Sequence, residues 1–194
     1  KIAIIYFSKT GRTRAMAEVI ADGAGSVSGV EVRLFELDRI DKSYLAECKA
    51  VFFGTPTYLA STCWELKKWF DESTMYPLAG KLGAVFATAD FAQGGADVAI
   101  QSVLGHMLVK GMLVYSGGGA WGLPYIHLGA VALKENFEAS KPMFRTFGER
   151  VAQKAKELFE PGSDRVDADF RMIAEELVRR DLLGVKDRTV FIKK

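Results

Sequence analysis

The stretch Ile2-Ala3-Ile4-Ile5-Tyr6-Phe7-Ser8-Lys9-Thr10-Gly11-Arg12-Thr13 determines how this chain folds. Its first half is a continuous apolar run, its second half is a polar loop, and residues 15–21 then repeat apolar side chains at helical spacing. This order predicts a buried strand, a tight loop and an amphipathic helix. Backbone N–H groups at a helix start have no intrahelical partner and the helix dipole favours negative charge there, so the loop is a candidate phosphate site.

The polar loop differs from two well-known phosphate motifs. A Walker loop requires Gly, four residues and then Gly-Lys-Ser/Thr, and the dinucleotide motif requires Gly-x-Gly-x-x-Gly; residues 8–13 contain neither. Ser8, Thr10 and Thr13 could also serve simply as helix caps. The loop by itself therefore leaves a phosphate site and a capping sequence as alternatives.

The composition is that of an ordinary globular protein. The 194 residues are 49% hydrophobic and 26% charged, which suits one domain with a sizeable core. No apolar run reaches the ~18 residues of a membrane helix, and we expect neither a membrane span nor a signal peptide. The formal net charge is +2 and the basic residues are scattered, whereas a nucleic-acid binder would show a basic stripe, so we expect no nucleic-acid partner.

The chain has two cysteines, Cys48 and Cys63. Their spacing matches neither a Cys-x-x-Cys pair nor a metal-binding pattern. We therefore expect two buried, reduced thiols in a cytoplasmic protein, and no metal site.

Apolar runs alternate with amphipathic segments along the chain. Strands are predicted at 2–7, 30–37, 50–54, 82–88 and 112–115, and helices at 13–24, 42–47, 63–71, 96–110 and 141–159. This alternation, with strands that are apolar throughout, predicts an α/β fold in which a doubly wound, five-stranded parallel sheet carries helices on both faces. The glycine-rich residues 116–122, followed by a second possible strand around 127–131, predict that an insertion splits the fifth strand.

The C-terminal part departs from this alternation. Pro161-Gly162 ends the last core helix, so we expect one domain over residues 1–160 and an extension over residues 161–194. Apolar spacing predicts a helix over 167–183 and a short strand over 188–194. This extension could pack on its own domain or on a neighbouring subunit.

Ligands of doubly wound sheets bind beyond the carboxyl ends of the strands, where the strand order reverses. We therefore expect the loops after strands one, three and four to converge. The loop after strand three, residues 54–59, has Pro56 to stiffen the turn and Tyr58 to stack on a planar ring. The loop after strand four, residues 88–95, offers backbone amides and an aromatic side chain. Each loop alone could be an ordinary turn, but all three together favour a site for a phosphate and a planar ring.

Gly54-Thr55-Pro56-Thr57-Tyr58, with residues 64–71, residues 80–86 and Gly94-Gly95, resembles the flavodoxin-like NAD(P)H:quinone oxidoreductases, often called Trp-repressor-binding-protein-like. The resemblance covers roughly residues 2–159 and implies a flavodoxin-like sheet with strand order 2-1-3-4-5. The first loop is closer to that of a plain flavodoxin.

The resemblance implies that three loops hold FMN. The implied cofactor-binding residues are Ser8, Lys9, Thr10, Gly11, Arg12 and Thr13 at the phosphate, Pro56, Thr57, Tyr58 and Leu59 at the ring and ribityl chain, and Thr88, Ala89, Asp90, Phe91, Gly94 and Gly95 at the isoalloxazine edge. Arg12 could add charge beside the phosphate, although we expect it to be exposed to solvent. Asp90 could contact the flavin or cap the next helix.

The resemblance implies an FMN-dependent oxidoreductase that passes electrons from NAD(P)H to a quinone or similar small acceptor, and that forms a homodimer or tetramer. Because the flavin carries the chemistry, no catalytic side chain is assigned. The alternatives are a flavodoxin-type carrier of single electrons between protein partners and a non-catalytic FMN-binding module.

Four further positions bear on the reductase interpretation. Where these reductases have a His and a Trp near the flavin, this chain has Lys110 and, as a weak counterpart, Tyr76. We expect His106 to be structural, because it lies on an apolar helix. His127 lies near the insertion and could approach the site.

Overall fold

Strands that are apolar throughout their length form the centre of the molecule. The computed structural model describes residues 1–160, so the extension 161–194 and the helix and strand expected within it lie outside the described residues. The strands are β1 (Ile2–Tyr6), β2 (Val32–Glu36), β3 (Ala50–Tyr58), β4 (Ser61–Thr62), β5 (Leu82–Ala89), β6 (Leu113–Val114) and β7 (Ala130–Leu133).

The parallel sheet has the order β2-β1-β3-β5, with β6 and β7 both beside β5. β6 pairs with the start of β5 at Leu82 and Gly83, and β7 pairs with the end of β5 from Phe86 to Ala89. β6 and β7 are therefore two parts of one strand position. The predicted order 2-1-3-4-5 with a split fifth strand is confirmed, with β4 added as a short antiparallel partner of β3.

Helices cover both faces of this sheet. They are α1 (Arg12–Gly25), α2 (Lys42–Glu47), α3 (Trp64–Glu72), α4 (Ala96–Val109) and α5 (Phe137–Phe159), with a 3₁₀ turn at Ser73–Met75. Consecutive residues of β3 point to opposite faces of the sheet. The ring centroid of Phe52 lies 5.4 Å from that of Phe147 in α5, and the ring centroid of Phe53 lies 4.8 Å from that of Phe70 in α3. Within residues 1–160, no helix combines the length and the apolar character needed to cross a lipid bilayer.

Two element boundaries differ clearly from the sequence prediction. β3 extends to Tyr58 rather than ending at residue 54, because Pro56 stays in register with Thr88 of β5 and the strand then turns back into β4. α5 begins at Phe137 rather than at residue 141. Its Pro142 lies inside the helix, at the sixth position, where the missing N–H leaves the carbonyl of Glu138 without its helical hydrogen bond.

Two glycines let the backbones of α1 and α5 touch. A Cβ at Gly23 would overlap the carbonyl oxygen of Arg145, and a Cβ at Gly148 would overlap that of Ile20 and lie 2.9 Å from the backbone nitrogen of Ala24. Any side chain at these positions would force the helices apart. Because α1 begins directly after the polar loop, this contact fixes where the loop sits above the sheet.

We expect Gly148→Ala to lower the free energy of unfolding by about 1–3 kcal/mol, the usual cost of overpacking a close contact. Gly105→Ala is the matched control, because Gly105 lies within α4 and a Cβ there meets nothing within 4 Å. That control should raise the free energy by about 0.5–1 kcal/mol through helix propensity. Urea unfolding of both variants tests the contact, and unchanged stability of Gly148→Ala would contradict it.

Candidate functional site

The loops after β1, β3 and β5 meet at the carboxyl edge of the sheet and surround one cavity of about 660 Å³, the three-loop cavity. The three strands are neighbours, with Tyr6 in register with Gly54 and Gly54 with Phe86, so their loops leave the sheet side by side. The cavity is lined by Lys9, Thr10, Arg12, Thr13, Pro56, Thr57, Tyr58, Leu59, Ala60, Thr88, Ala89, Asp90, Phe91 and Gly94.

The first loop presents the start of α1 to this cavity. Gly11 precedes the helix with a φ of 88°, a left-handed conformation that favours glycine, and its carbonyl accepts the first helical hydrogen bond from the N–H of Ala15. The N–H of Arg14 donates to Oγ of Ser8 at 3.2 Å. Ser8 therefore has the capping role considered as the alternative, and neither Ser8 nor Gly11 lines the cavity.

Two side-chain contacts join the first loop to the third. The hydroxyl groups of Thr13 and Thr88 are hydrogen-bonded at 2.9 Å in a buried position. Nη2 of Arg12 lies 2.5 Å from Oδ1 of Asp90, and 32% of the Arg12 side chain is exposed. The expectation that Arg12 lies in solvent is therefore wrong, because Asp90 holds the guanidinium against the cavity. Asp90 does not cap α4, which follows Gly95.

The turn between β3 and β4 forms the side wall of the cavity. Leu59 and Ala60 have φ values of 47° and 59°, which close this tight hairpin, and Leu59 is fully exposed. A Cβ at Gly95 would lie 2.6 Å from Cα of Ala60, so Gly95 lets the third loop pack against the hairpin without lining the cavity itself. Ala60 lines the cavity but was missed from the sequence, because its methyl group carries no chemical signal.

Two polar atoms on residues that line the cavity are buried and lack a hydrogen-bond partner in the described part of the chain. They are Nη1 of Arg12 and Oγ1 of Thr57. A buried donor without a partner is costly, and a bound polar ligand would satisfy it. These donors, the start of α1 and the nearby rings of Tyr58 and Phe91 fit a ligand with an anionic end and a planar aromatic end.

Burial favours the neutral forms of Tyr58 and Cys63 near the cavity. It raises the pKa of Tyr58, with the charges of Cys63 and Glu65 adding to the effect. It also raises the pKa of Cys63, which is a free, buried thiol like Cys48. Tyr58 therefore offers a neutral aromatic face, and the two thiols match the prediction from the sequence.

The other positions singled out from the sequence lie away from the cavity lining. The ring of His106 packs against that of Phe70, with 5.1 Å between the ring centroids, and burial lowers the pKa of this histidine. Tyr76 packs against Trp69, and Lys110 follows the end of α4. His127 is exposed. Neither His106 nor His127 therefore lines the three-loop cavity.

The family model described as Flavodoxin matches residues 4–100. A flavodoxin from Clostridium saccharobutylicum is 49% identical over 159 residues, covering 82% of this chain and 99% of the relative. An NAD(P)H dehydrogenase (quinone) from Aromatoleum aromaticum is 31% identical, covering 64% of this chain and 71% of the relative. The crystal structure of the flavodoxin, WrbA-like protein from Agrobacterium tumefaciens has the same fold, with a TM-score of 0.67, 24% identity, and coverage of 80% of this chain and 97% of that one.

These similarities agree with the predicted fold. The narrower quinone-oxidoreductase group that the sequence resembles stays a prediction, and so does the role of the individual loop residues in holding a cofactor. The family match and the flavodoxin relative together show that the chain belongs to the flavodoxin family.

Proposed function

We propose that this chain binds FMN in the three-loop cavity and carries single electrons between protein partners. The observation that carries the proposal is the pair of buried, unpartnered donors, Arg12 Nη1 and Thr57 Oγ1, beside the start of α1. The 49% identity to a flavodoxin that is covered over 99% of its length supports the carrier function. Bound FMN would supply the redox chemistry by accepting and releasing electrons.

The first loop would hold the phosphate. The N–H groups of Arg12 and Thr13 lie in the first turn of α1. The first helical hydrogen bond runs from the N–H of Ala15 to the carbonyl of Gly11, so the N–H groups of Arg12 and Thr13 have no partner within the helix. The guanidinium of Arg12 adds a positive charge that Asp90 positions and the surrounding loops partly shield from water. A dianionic phosphate at this point would gain from hydrogen bonds, from the helix dipole and from the guanidinium charge.

The other two loops would hold the ring system. Tyr58 and Phe91 keep 40% and 67% of their surfaces exposed at the cavity mouth, although both rings are apolar. A planar aromatic group between them would bury part of this surface, and Oγ1 of Thr57 would gain a polar partner. The same side chains would exclude water from one side of the ring.

The lining of the cavity favours a carrier over an enzyme. Burial raises the pKa of Tyr58, so this side chain is poorly suited to moving protons near neutral pH. A carrier needs an exposed, contact-forming edge beside its cofactor, and Leu59 and Phe91 provide apolar surface there. Free, buried thiols at Cys48 and Cys63 fit a cytoplasmic location for such a carrier.

A second candidate is the NAD(P)H:quinone oxidoreductase that the sequence resembles. The relative named NAD(P)H dehydrogenase (quinone), at 31% identity, favours it. In that case NAD(P)H would be the electron donor, a quinone the acceptor, and a homo-oligomer the working form.

Replacing Thr10 with Glu tests the phosphate end. A carboxylate on this exposed loop would face the phosphate dianion, and we expect FMN affinity to fall about tenfold or more, which is ~1.4 kcal/mol. Thr10→Gln, which has the same size without the charge, should bind FMN within about threefold of the unchanged chain. Quenching of FMN fluorescence measures both, and equal affinities of the two variants would rule out this phosphate position.

Arg12→Met and Arg14→Met form a matched pair, two residues apart in the first turn of α1. Arg12 lines the cavity, whereas Arg14 pairs with Glu36 outside it. We expect Arg12→Met to weaken FMN binding about tenfold and riboflavin binding much less, because riboflavin lacks the phosphate. Arg14→Met should leave both affinities nearly unchanged. Equal losses for FMN and riboflavin would show that Arg12 acts on something other than the phosphate.

Anaerobic stopped-flow mixing of the FMN-loaded chain with NADH or NADPH separates the two candidate functions. The carrier proposal predicts that flavin absorbance bleaches no faster than that of free FMN under the same conditions. It also predicts that dithionite titration reduces the bound flavin in two resolved one-electron steps. Rapid bleaching by either nucleotide without a partner protein would overturn the carrier proposal in favour of the reductase.

A further inference from the structure

A second cavity of about 510 Å³ lies beside the three-loop cavity, between the ends of β1 and β2 and the outer side of α3. We call it the α3 cavity, and its lining shares no residue with that of the three-loop cavity. Aromatic and acidic side chains alternate around it: Tyr6, Phe7, Trp64 and Trp69, with Glu36, Asp38, Glu65 and Glu72.

The walls of the α3 cavity carry four carboxylates, of which three are paired with cations. Four carboxylates and the single ammonium group of Lys68 give the lining a formal charge of −3 in a chain whose net charge is +2. Glu36 is paired with Arg14, Asp38 lies 3.8 Å from Arg39, and Glu72 lies 3.9 Å from Lys68. Glu65 forms no ion pair with any residue of the described chain. Its charge therefore remains available to a ligand.

Two buried polar atoms on the cavity lining lack partners in residues 1–160. They are Oε2 of Glu65, an acceptor, and Nε1 of Trp69, a donor on a side chain that is only 8% exposed. Glu65 and Trp69 are four residues apart on α3, so they lie on the same helix face. A buried carboxylate oxygen without a donor is especially unfavourable, and a ligand that donates to it would relieve this cost.

The ammonium group of Lys68 already contacts an aromatic ring and a carboxylate of the α3 cavity. Nζ of Lys68 lies 5.2 Å from the centroid of the Trp64 ring, close enough for a cation–π contact, and faces Glu72. The Trp64 side chain is 65% exposed, so its ring is open to a ligand as well. Among the residues that the structure describes, no cluster suits a metal ion, whereas the exposed ring of Trp64 suits an organic cation.

We propose that the α3 cavity binds a small organic cation, in which an amidinium or ammonium group on a flat apolar body donates to Glu65 and stacks against Trp64. The unpartnered Oε2 of Glu65, the carboxylates of the lining and the Lys68–Trp64 contact each support this assignment. Nε1 of Trp69 is a donor, so it would bond to an acceptor such as water rather than to the cationic group. The site does not rest on the carrier function, and no residue lines both cavities, although Ser8, one of the residues that the resemblance assigns to the FMN phosphate, lines the α3 cavity.

Benzamidine is a suitable probe, with neutral benzamide and anionic benzoate as controls of the same shape. Titration of the full chain, followed by the indole N–H signals of its three tryptophans in NMR spectra, should show shifts for Trp64 and Trp69 but not for Trp121. Benzamide should bind at least about tenfold more weakly, and benzoate not at all. Unshifted signals, equal binding of benzamide, or displacement of benzamidine by FMN would overturn the proposal.

Two variants should change benzamidine affinity in opposite directions. Glu65→Gln removes the free charge while keeping the side-chain shape, and we expect binding to weaken about tenfold. Lys68→Gln removes the competing cation from Trp64, and binding should tighten a fewfold. Glu18→Gln, which removes a carboxylate from the exposed side of α1, is the control and should leave binding unchanged. If the benzamidine affinities of Glu65→Gln and Lys68→Gln both equal that of the unchanged chain, the α3 cavity holds only water and the assignment is contradicted.

Discussion

The parallel pairing of β1, β3 and β5 is the constraint on which the three-loop cavity depends. These strands are hydrogen-bonded neighbours in matched register, so their carboxyl ends open at the same edge of the sheet. The chain must then place three loops within reach of one another, whatever their sequences. Because these loops contain polar residues and glycines, they enclose a cavity with hydrogen-bond donors on one side and aromatic rings on the other.

Further contacts hold the loops in one arrangement. The hydrogen bond between Thr13 and Thr88 is buried beneath the cavity, where little water competes for either hydroxyl. The ion pair between Arg12 and Asp90 lies nearer the mouth and orients a guanidinium that still has one unpartnered nitrogen. Packing of Gly23 against Arg145 of α5 sets the position of the other end of α1. The cavity is therefore preorganised before any ligand enters, which lowers the entropic cost of binding.

Much of the fold could be predicted from the sequence, because strands buried on both faces need uninterrupted apolar runs and this chain has them. The meeting of the three loops could also be predicted, because the carboxyl ends of neighbouring parallel strands lie at the same edge of a sheet. The hairpin at Ala60 could not, because its backbone shape comes from the pairing of β3 with β4. The pairing of Arg12 with Asp90 and the unpartnered atoms of Glu65 and Trp69 depend on exact side-chain placement, which spacing along the chain does not specify.

A crystal structure of the full chain grown with FMN is the most direct test of the three-loop site. The geometry predicts electron density for the phosphate at the start of α1, beside Arg12, and density for the ring against Tyr58 and residues 88–95. FMN seated elsewhere on the molecule, or a three-loop cavity that stays empty in crystals grown with excess FMN, would contradict the site.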